Sequence, residues 1–224
     1  MKKFPLEVLK TAARFVFFRA SAHEMESLGK RHLAVGLVLV WLAGIGRHWD
    51  DESASFLQSS GVGSLVYVFV LALYLWFALL ALRPREWNYF RVLTVICLTA
   101  PPAFLYAIPI ERWLETDMAR QANMWALAIV ALWRVALFVF FLTRSARLEL
   151  WRALSGTLFP ISVVVIILGM LRIAASISDA MAGTRAPRSD PVVQMTETVV
   201  AISVFAFIPL LICYVAAIRK AYYD

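Results

Sequence analysis

The sequence has little of what a soluble protein or a metal-binding protein needs. Only 17% of its 224 residues are charged and only two are cysteines, whereas 62% are hydrophobic and the mean hydropathy is +0.74. Soluble globular domains are about 45–50% apolar and about 25% charged. A soluble chain of this composition would therefore have more apolar side chains than its core could hold. Cys97 and Cys213 lie inside apolar runs with no partner at metal-ligand spacing, which indicates packing residues and predicts neither a metal nor a cofactor.

Signatures of catalysis and nucleotide binding are also missing. The chain contains no Walker A sequence, no G-x-S-x-G, no H-E-x-x-H, no C-x-x-C and no dinucleotide fingerprint. These absences weigh against an enzyme but do not exclude one.

The sequence has long apolar runs instead. A helix needs about 20 mostly apolar residues to cross a hydrocarbon core of about 30 Å. We therefore expect an all-α fold, a polytopic transmembrane helix bundle of about six spans. The first span is the weakest prediction because its apolar centre is short. The six segments are 32–46, 61–82, 90–110, 123–143, 154–176 and 196–218.

Loop charge predicts the orientation of these spans. Basic segments precede the first span and follow the second, fourth and sixth, whereas acidic or mixed loops follow the first and third. The positive-inside rule then places both termini in the cytoplasm. We expect a cytoplasmic segment at 1–31, the bundle at 32–218 and a tail at 219–224. The net charge of +7 is explained by orientation and by anionic lipid headgroups, so nucleic acid is not an expected partner.

The first 22 residues predict an amphipathic helix with a basic character. Helical spacing places Leu6, Leu9, Ala13, Val16 and Phe17 on one face. A basic helix with an aromatic-rich face suits the membrane surface, which makes this the expected interfacial helix. The alternative is a solvated helix that leads into the first span.

Arg134 is the polar residue that most needs an explanation. It lies in the run Ala-Leu-Trp-Arg-Val-Ala of the fourth span, near the middle of the bilayer. A charge there costs at least about 2.5–3.5 kcal/mol, so it should face other helices or water. One interpretation is an anion or lipid-phosphate site, and the other is a guanidinium that holds helices together. Tyr106 and Arg172 are further intramembrane polar candidates.

Prolines predict kinks in three of the spans. A proline lacks a backbone N–H and leaves the carbonyl four residues earlier without its helical partner. Such carbonyls, with Thr94, Thr99, Tyr106 and Tyr214, are candidate partners for Arg134. A broken third span would line a transport path or would be a plain kink. The predicted kink residues are Pro101, Pro102, Pro109, Pro160 and Pro209.

A polar sequence lies where the first span reaches the external face. His48, Asp50 and Asp51 have the residue types of a general base or a metal site. One histidine among exposed acids is weak evidence, and an ion-pair cap at the interface is the simpler interpretation.

Three stretches carry a resemblance. Trp41 to Asp50, Tyr106 to Pro109 and Trp133 to Leu137 resemble segments of uncharacterised bacterial multi-pass inner-membrane proteins. The resemblance implies a location in the bacterial inner membrane and no particular activity. The plan of an amphipathic N-terminus before a kinked bundle is also similar to Yip1-type proteins, although the motif residues of that family are absent.

Three functions follow as hypotheses. The first is a non-enzymatic accessory, scaffold or oligomeric membrane component, which meets a membrane-protein partner or a second copy through its helices or its N-terminal segment. The second is a small transporter or channel with an anion-preferring path past Arg134. The third is a lipid-modifying enzyme that uses His48, Asp50 and Asp51.

Overall fold

A computed structural model describes residues 4–46, 56–181 and 191–223, which form a helical bundle. The structure is 85% helical, and the described residues contain no strand, so the all-α prediction is confirmed. The α-helices are α1 (Phe4–Val16), α2 (Ala22–Glu26), α3 (Lys30–Gly46), α4 (Phe56–Ser59), α5 (Val62–Leu79), α6 (Tyr89–Leu98), α7 (Thr116–Arg144), α8 (Leu150–Met181) and α9 (Pro191–Tyr223). Short 3₁₀ helices cover Leu80–Leu82, Pro101–Ala107 and Ile110–Arg112.

Four helices of the described chain are long and apolar enough to cross a membrane. Their mean hydropathy lies between 2.3 and 2.7, and at most 33% of each apolar window is buried inside the protein. Such helices need a surrounding that is itself apolar, which supports an integral membrane protein. These helices are Val62–Leu82, Thr116–Arg144, Leu150–Arg172 and Gln194–Tyr223.

The predicted third span is a bent pair of helices. α6 ends at Leu98, and the 3₁₀ helix Pro101–Ala107, hereafter the 3₁₀ segment, is inclined to it by 40°. The bend falls at Pro101 and Pro102, whose rings cannot follow the preceding helical turn. The pair gives a fifth span if it crosses the membrane as one unit. Pro109 precedes a further 3₁₀ turn at Ile110–Arg112.

Pro160 and Pro209 have a different effect, because α8 and α9 continue as helices past them. The kinks predicted at these residues therefore do not end either helix. The carbonyl of Pro160 accepts a hydrogen bond of 2.9 Å from the Tyr74 hydroxyl of α5. A neighbouring helix thus supplies polar contact beside the proline, as is common inside membranes.

The helix at the first predicted span, α3, has 17 residues and packs closely on the centre of the bundle. A Cβ added to Gly36 would lie 2.7 Å from the Cβ of Cys97, so only glycine permits α3 to approach α6 at this distance. A Cβ added to Gly44 would lie 2.6 Å from the Oγ of Ser64 in α5, so this approach also requires glycine. α6 lies at the centre, because every side chain from Arg91 to Leu98 is buried.

The N-terminal helix α1 is docked on the bundle. Val8, Ala12 and Phe15 are buried, with Phe15 only 1% exposed. Leu9 and Phe17 are 50% and 60% exposed, so the predicted apolar face is only partly the packed face. The apolar side of the helix is wide. The bundle packs on one edge, which includes Val16 of the predicted face, while Leu9, Ala13 and Phe17 form the exposed edge.

A short second helix holds the N-terminal segment in place. Ser21 and Glu24 form a capping box at the start of α2, which satisfies two backbone N–H groups of its first turn. The guanidinium of Arg14 in α1 pairs with the Glu24 carboxylate at 2.7 Å. Phe18, between the two helices, adopts a left-handed backbone with φ 58°.

Candidate functional site

Arg134 contacts the bend of the third span. It lies ten residues before the end of α7 at Arg144, which places it about 15 Å from that end. Its Nε donates to the Thr99 hydroxyl at 3.3 Å. Thr99 follows α6 directly, is 3% exposed, and donates its own proton to the Ile96 carbonyl at 2.7 Å. The intramembrane charge is therefore tied to the point at which the helix breaks.

In the described part of the chain, no hydrogen bond joins Arg134 to Thr94 or to Tyr214. The Thr94 hydroxyl donates to the Phe90 carbonyl of its own helix, and the Tyr214 hydroxyl donates to the Ala78 carbonyl of α5. Among the described residues no carboxylate pairs with Arg134. A guanidinium carries five N–H donors, so the Arg134–Thr99 contact leaves donors of this half-buried side chain available to a ligand.

The remaining sequence candidates take no part in the hydrogen bond between Arg134 and Thr99. Tyr106 packs at the edge of a small apolar cluster of Ala43, Ala103 and Val130. Arg172 is exposed at the end of the span Leu150–Arg172. His48, Asp50 and Asp51 lie outside the described residues.

An apolar groove of about 540 Å³ opens beside Arg134, between α1 and the 3₁₀ segment. The indole Nε1 of Trp133, the residue before Arg134, donates to the Val16 carbonyl at the end of α1 with a length of 3.0 Å. Every residue that lines the groove is apolar. These residues are Leu9, Ala12, Ala13, Val16, Phe17, Leu39, Pro101, Pro102, Phe104, Leu105, Ile108 and Trp133.

Arg91, at the start of α6, forms a second site that sequence reasoning missed. Its Nη1 donates to the Glu86 carboxylate at 2.7 Å, and its Nη2 donates to the Ser145 hydroxyl at 2.9 Å and to the Met25 carbonyl at 3.4 Å. The residue is only 7% exposed, and its buried Nε has no acceptor among the described residues. One guanidinium therefore joins α2, α6 and the end of α7.

The sequence carried one signal for this site. Arg91 is a lone charge in the otherwise apolar run of α6, which is the same signal that singled out Arg134. Arg91 lies near a basic loop, where membrane orientation alone explains a positive charge. The local sequence does not predict that Arg91 is buried, because its partners Met25 and Ser145 are 66 and 54 residues away in the chain.

Further polar contacts lie on the same side as Arg91. The Nη2 of Arg152 donates to the Leu82 carbonyl at 2.9 Å, and the backbone N–H of Arg85 donates to the Ala146 carbonyl at 3.1 Å. The ammonium of Lys220 pairs with the Glu149 carboxylate at 2.9 Å. The two loops and the end of α9 are thereby connected.

Two carboxyl groups on this side have shifted acidity. A hydrogen bond from the Ser21 backbone N–H is the main cause that lowers the pKa of Glu24, with a smaller contribution from Arg14. The hydrogen bond from Lys220 is the main cause that lowers the pKa of Glu149, followed by that from Trp151. Glu24 is thus held in its charged form mainly by the cap of its own helix, and Glu149 mainly by a residue of α9. The described residues contain no group of three potential metal ligands.

Comparison with protein-family models, curated proteins and solved structures finds no match to the chain. Function must therefore be argued from the contacts themselves.

Proposed function

We propose that the chain is a six-span protein of the bacterial inner membrane with both termini in the cytoplasm, and that it is a non-enzymatic accessory or scaffold component. The observation that carries this proposal is the connected polar side formed by α1, α2, the segments 83–88 and 144–149 and the end of α9, hereafter the basic face. Its elements are distant in sequence, and buried or partly buried arginines join them.

Six spans are supported by adding two elements to the four long helices. The bent pair of α6 and the 3₁₀ segment is one, and α3 is the other. The 17 residues of α3 cover about 26 Å, which is close to the thickness of the hydrocarbon core. An even number of spans agrees with the charge alternation of the loops, which places the basic face in the cytoplasm.

The basic face exposes a surplus of positive charge. Its exposed acidic residues are Glu7, Glu26, Glu86 and Glu149. Its exposed basic residues are Lys10, Arg14, Arg83, Arg85, Arg144, Arg147 and Arg219, and Arg19 between α1 and α2 adds to them. Such a surface is attracted to anionic headgroups, at about 1 kcal/mol for each basic residue near the membrane. A positively charged face whose elements are joined by hydrogen bonds and ion pairs suits a component that presents a surface to lipids and to a membrane partner.

The test is extraction of the protein from its native membrane in a mild detergent, followed by native mass spectrometry. We expect an assembly that contains a second protein or further copies of this chain in fixed stoichiometry. A lone monomer that retains a small non-lipid substrate would contradict the proposal. The variant Arg147→Glu should weaken the assembly more than Arg120→Glu, which changes an exposed arginine of α7 at the opposite end of the helix.

A second candidate is favoured by the contact between Arg134 and the bend. Guanidinium N–H groups that are available to a ligand, placed beside a broken helix, have the chemistry of an anion path. Flux of inorganic anions into proteoliposomes should then fall in Arg134→Ala and stay unchanged in Arg120→Ala. Equal flux in wild type and Arg134→Ala, or none in either, removes Arg134 from this role.

A further inference from the structure

We infer that the groove between α1 and the 3₁₀ segment binds one acyl chain of an anionic phospholipid from the cytoplasmic leaflet. The inference rests on the proposed contact of the basic face with anionic lipid and assigns that contact a place in the fold.

The groove lies at the depth of the hydrocarbon. Leu39 is nine residues beyond the start of α3, and Trp133 is eleven residues before the end of α7. At the helical rise of 1.5 Å, both lie about 14–16 Å from the cytoplasmic ends of their helices. The surrounding medium at this depth consists of acyl chains, and the groove has the size range of a ligand site.

The apolar side of α1 is divided between the bundle and the groove. Val8, Ala12 and Phe15 form the edge that packs on the core. Leu9, Ala13 and Phe17 form the other edge, line the groove and keep their exposure. At this depth the unpacked apolar edge of α1 faces acyl chains and not headgroups.

The charge beside the groove selects the headgroup. Lys10 is three residues before Ala13 and seven before Phe17, so it lies on the same stripe of α1 as two groove-lining residues. Its side chain is exposed, and a lysine in this position reaches the headgroup layer while its stem follows the apolar surface. Acyl chains alone give little preference between a groove and the bilayer, because both are apolar. The ammonium of Lys10 is therefore what favours an anionic lipid.

The experiment uses the full chain in liposomes that contain phosphatidylglycerol with a photoactivatable diazirine on one acyl chain. We expect crosslinks to peptides of α1 and the 3₁₀ segment in excess of those to the exposed face of α5. The variant Ala13→Trp fills the groove and should lower this labelling by about tenfold, equivalent to 1.4 kcal/mol. Ala131→Trp makes the same change at an exposed position of α7 outside the groove and should leave it unchanged.

The headgroup is tested with the same probe on phosphatidylcholine. Labelling of the groove by phosphatidylglycerol should exceed that by phosphatidylcholine. Lys10→Gln should reduce this preference by about fivefold, the contribution of one basic residue near the membrane, whereas Arg120→Gln, at the opposite end of α7, should not. Equal labelling by both lipids, or labelling that Ala13→Trp does not change, would overturn the inference. The proposed function is decided separately by the mass of the native assembly.

Discussion

Two arginines in apolar helices have opposite surroundings. Arg91 is almost fully buried, yet it is held by a carboxylate, a hydroxyl and a carbonyl from three elements. Arg134 is more exposed, and among the described residues its side chain has a single hydrogen bond, of 3.3 Å to Thr99. The comparison shows that a charge in an apolar run is a structural clamp where the fold brings acceptors to it. Where the fold brings few acceptors, as at Arg134, guanidinium N–H donors remain available to a ligand.

Removal of the Arg91 guanidinium should have the largest effect on stability. Hydrogen bonds to charged groups contribute about 1.5–3 kcal/mol each but are not additive, so we expect Arg91→Ala to lower the free energy of unfolding by about 3 kcal/mol. Thermal unfolding in detergent measures this change. Arg85→Ala is the control, because Arg85 is exposed and its bond to Ala146 is made by the backbone. Similar melting temperatures for the two variants would contradict the role of Arg91.

Acid should loosen the basic face by a smaller amount. The pKa values of Glu24 and Glu149 are lowered in the folded protein, so their stabilising contribution is present above about pH 4.5 and is lost as the pH falls through the folded values. Melting temperatures measured from pH 7 to pH 3 should fall less steeply in the double variant Glu24→Gln/Glu149→Gln. An unchanged slope would show that these two carboxylates do not account for any of the acid sensitivity.

Loss of the Trp133 indole N–H should detach α1 in part. Trp133→Phe keeps an aromatic ring beside Phe17 but removes the donor to the Val16 carbonyl. One neutral hydrogen bond contributes about 0.5–1.5 kcal/mol, so trypsin cleavage after Arg14 and Arg19 should become severalfold faster. Trp125→Phe, at an exposed site of α7, serves as the control. Equal cleavage rates in both variants would argue against docking of α1 through Trp133.

Replacement of Arg134 should have the smallest effect on stability. Arg134→Leu removes one weak hydrogen bond and the cost of an intramembrane charge together, so we expect a change within about 1 kcal/mol. The same thermal assay applies, with Arg91→Leu for comparison. If Arg134→Leu destabilises the protein as much as Arg91→Leu, then Arg134 is a clamp as well and the contrast between the two sites disappears.

Particular elements show why sequence reasoning reached some features and missed others. The bend was predictable at Pro101 and Pro102, because the lost N–H and the ring clash are properties of the residue itself. Thr99 was one of several candidate partners for Arg134, and only the packing of α7 against the end of α6 selected it. The face of α1 was predicted only in part, since its apolar side is wider than the edge that the bundle covers.

The sequence by itself determined the all-helical architecture and the apolar character of the four long helices. These properties depend on local hydropathy, which a chain carries residue by residue. The tertiary structure decided which charges are buried, which hydroxyl meets Arg134, and where the groove lies beneath α1. Those features depend on contacts between residues that are far apart in the chain, such as Met25 with Arg91 and Val16 with Trp133. The scarcity of charge in the sequence thus indicated a membrane protein. The contacts of the folded chain decided which of its few charged side chains are buried and which are available to a ligand.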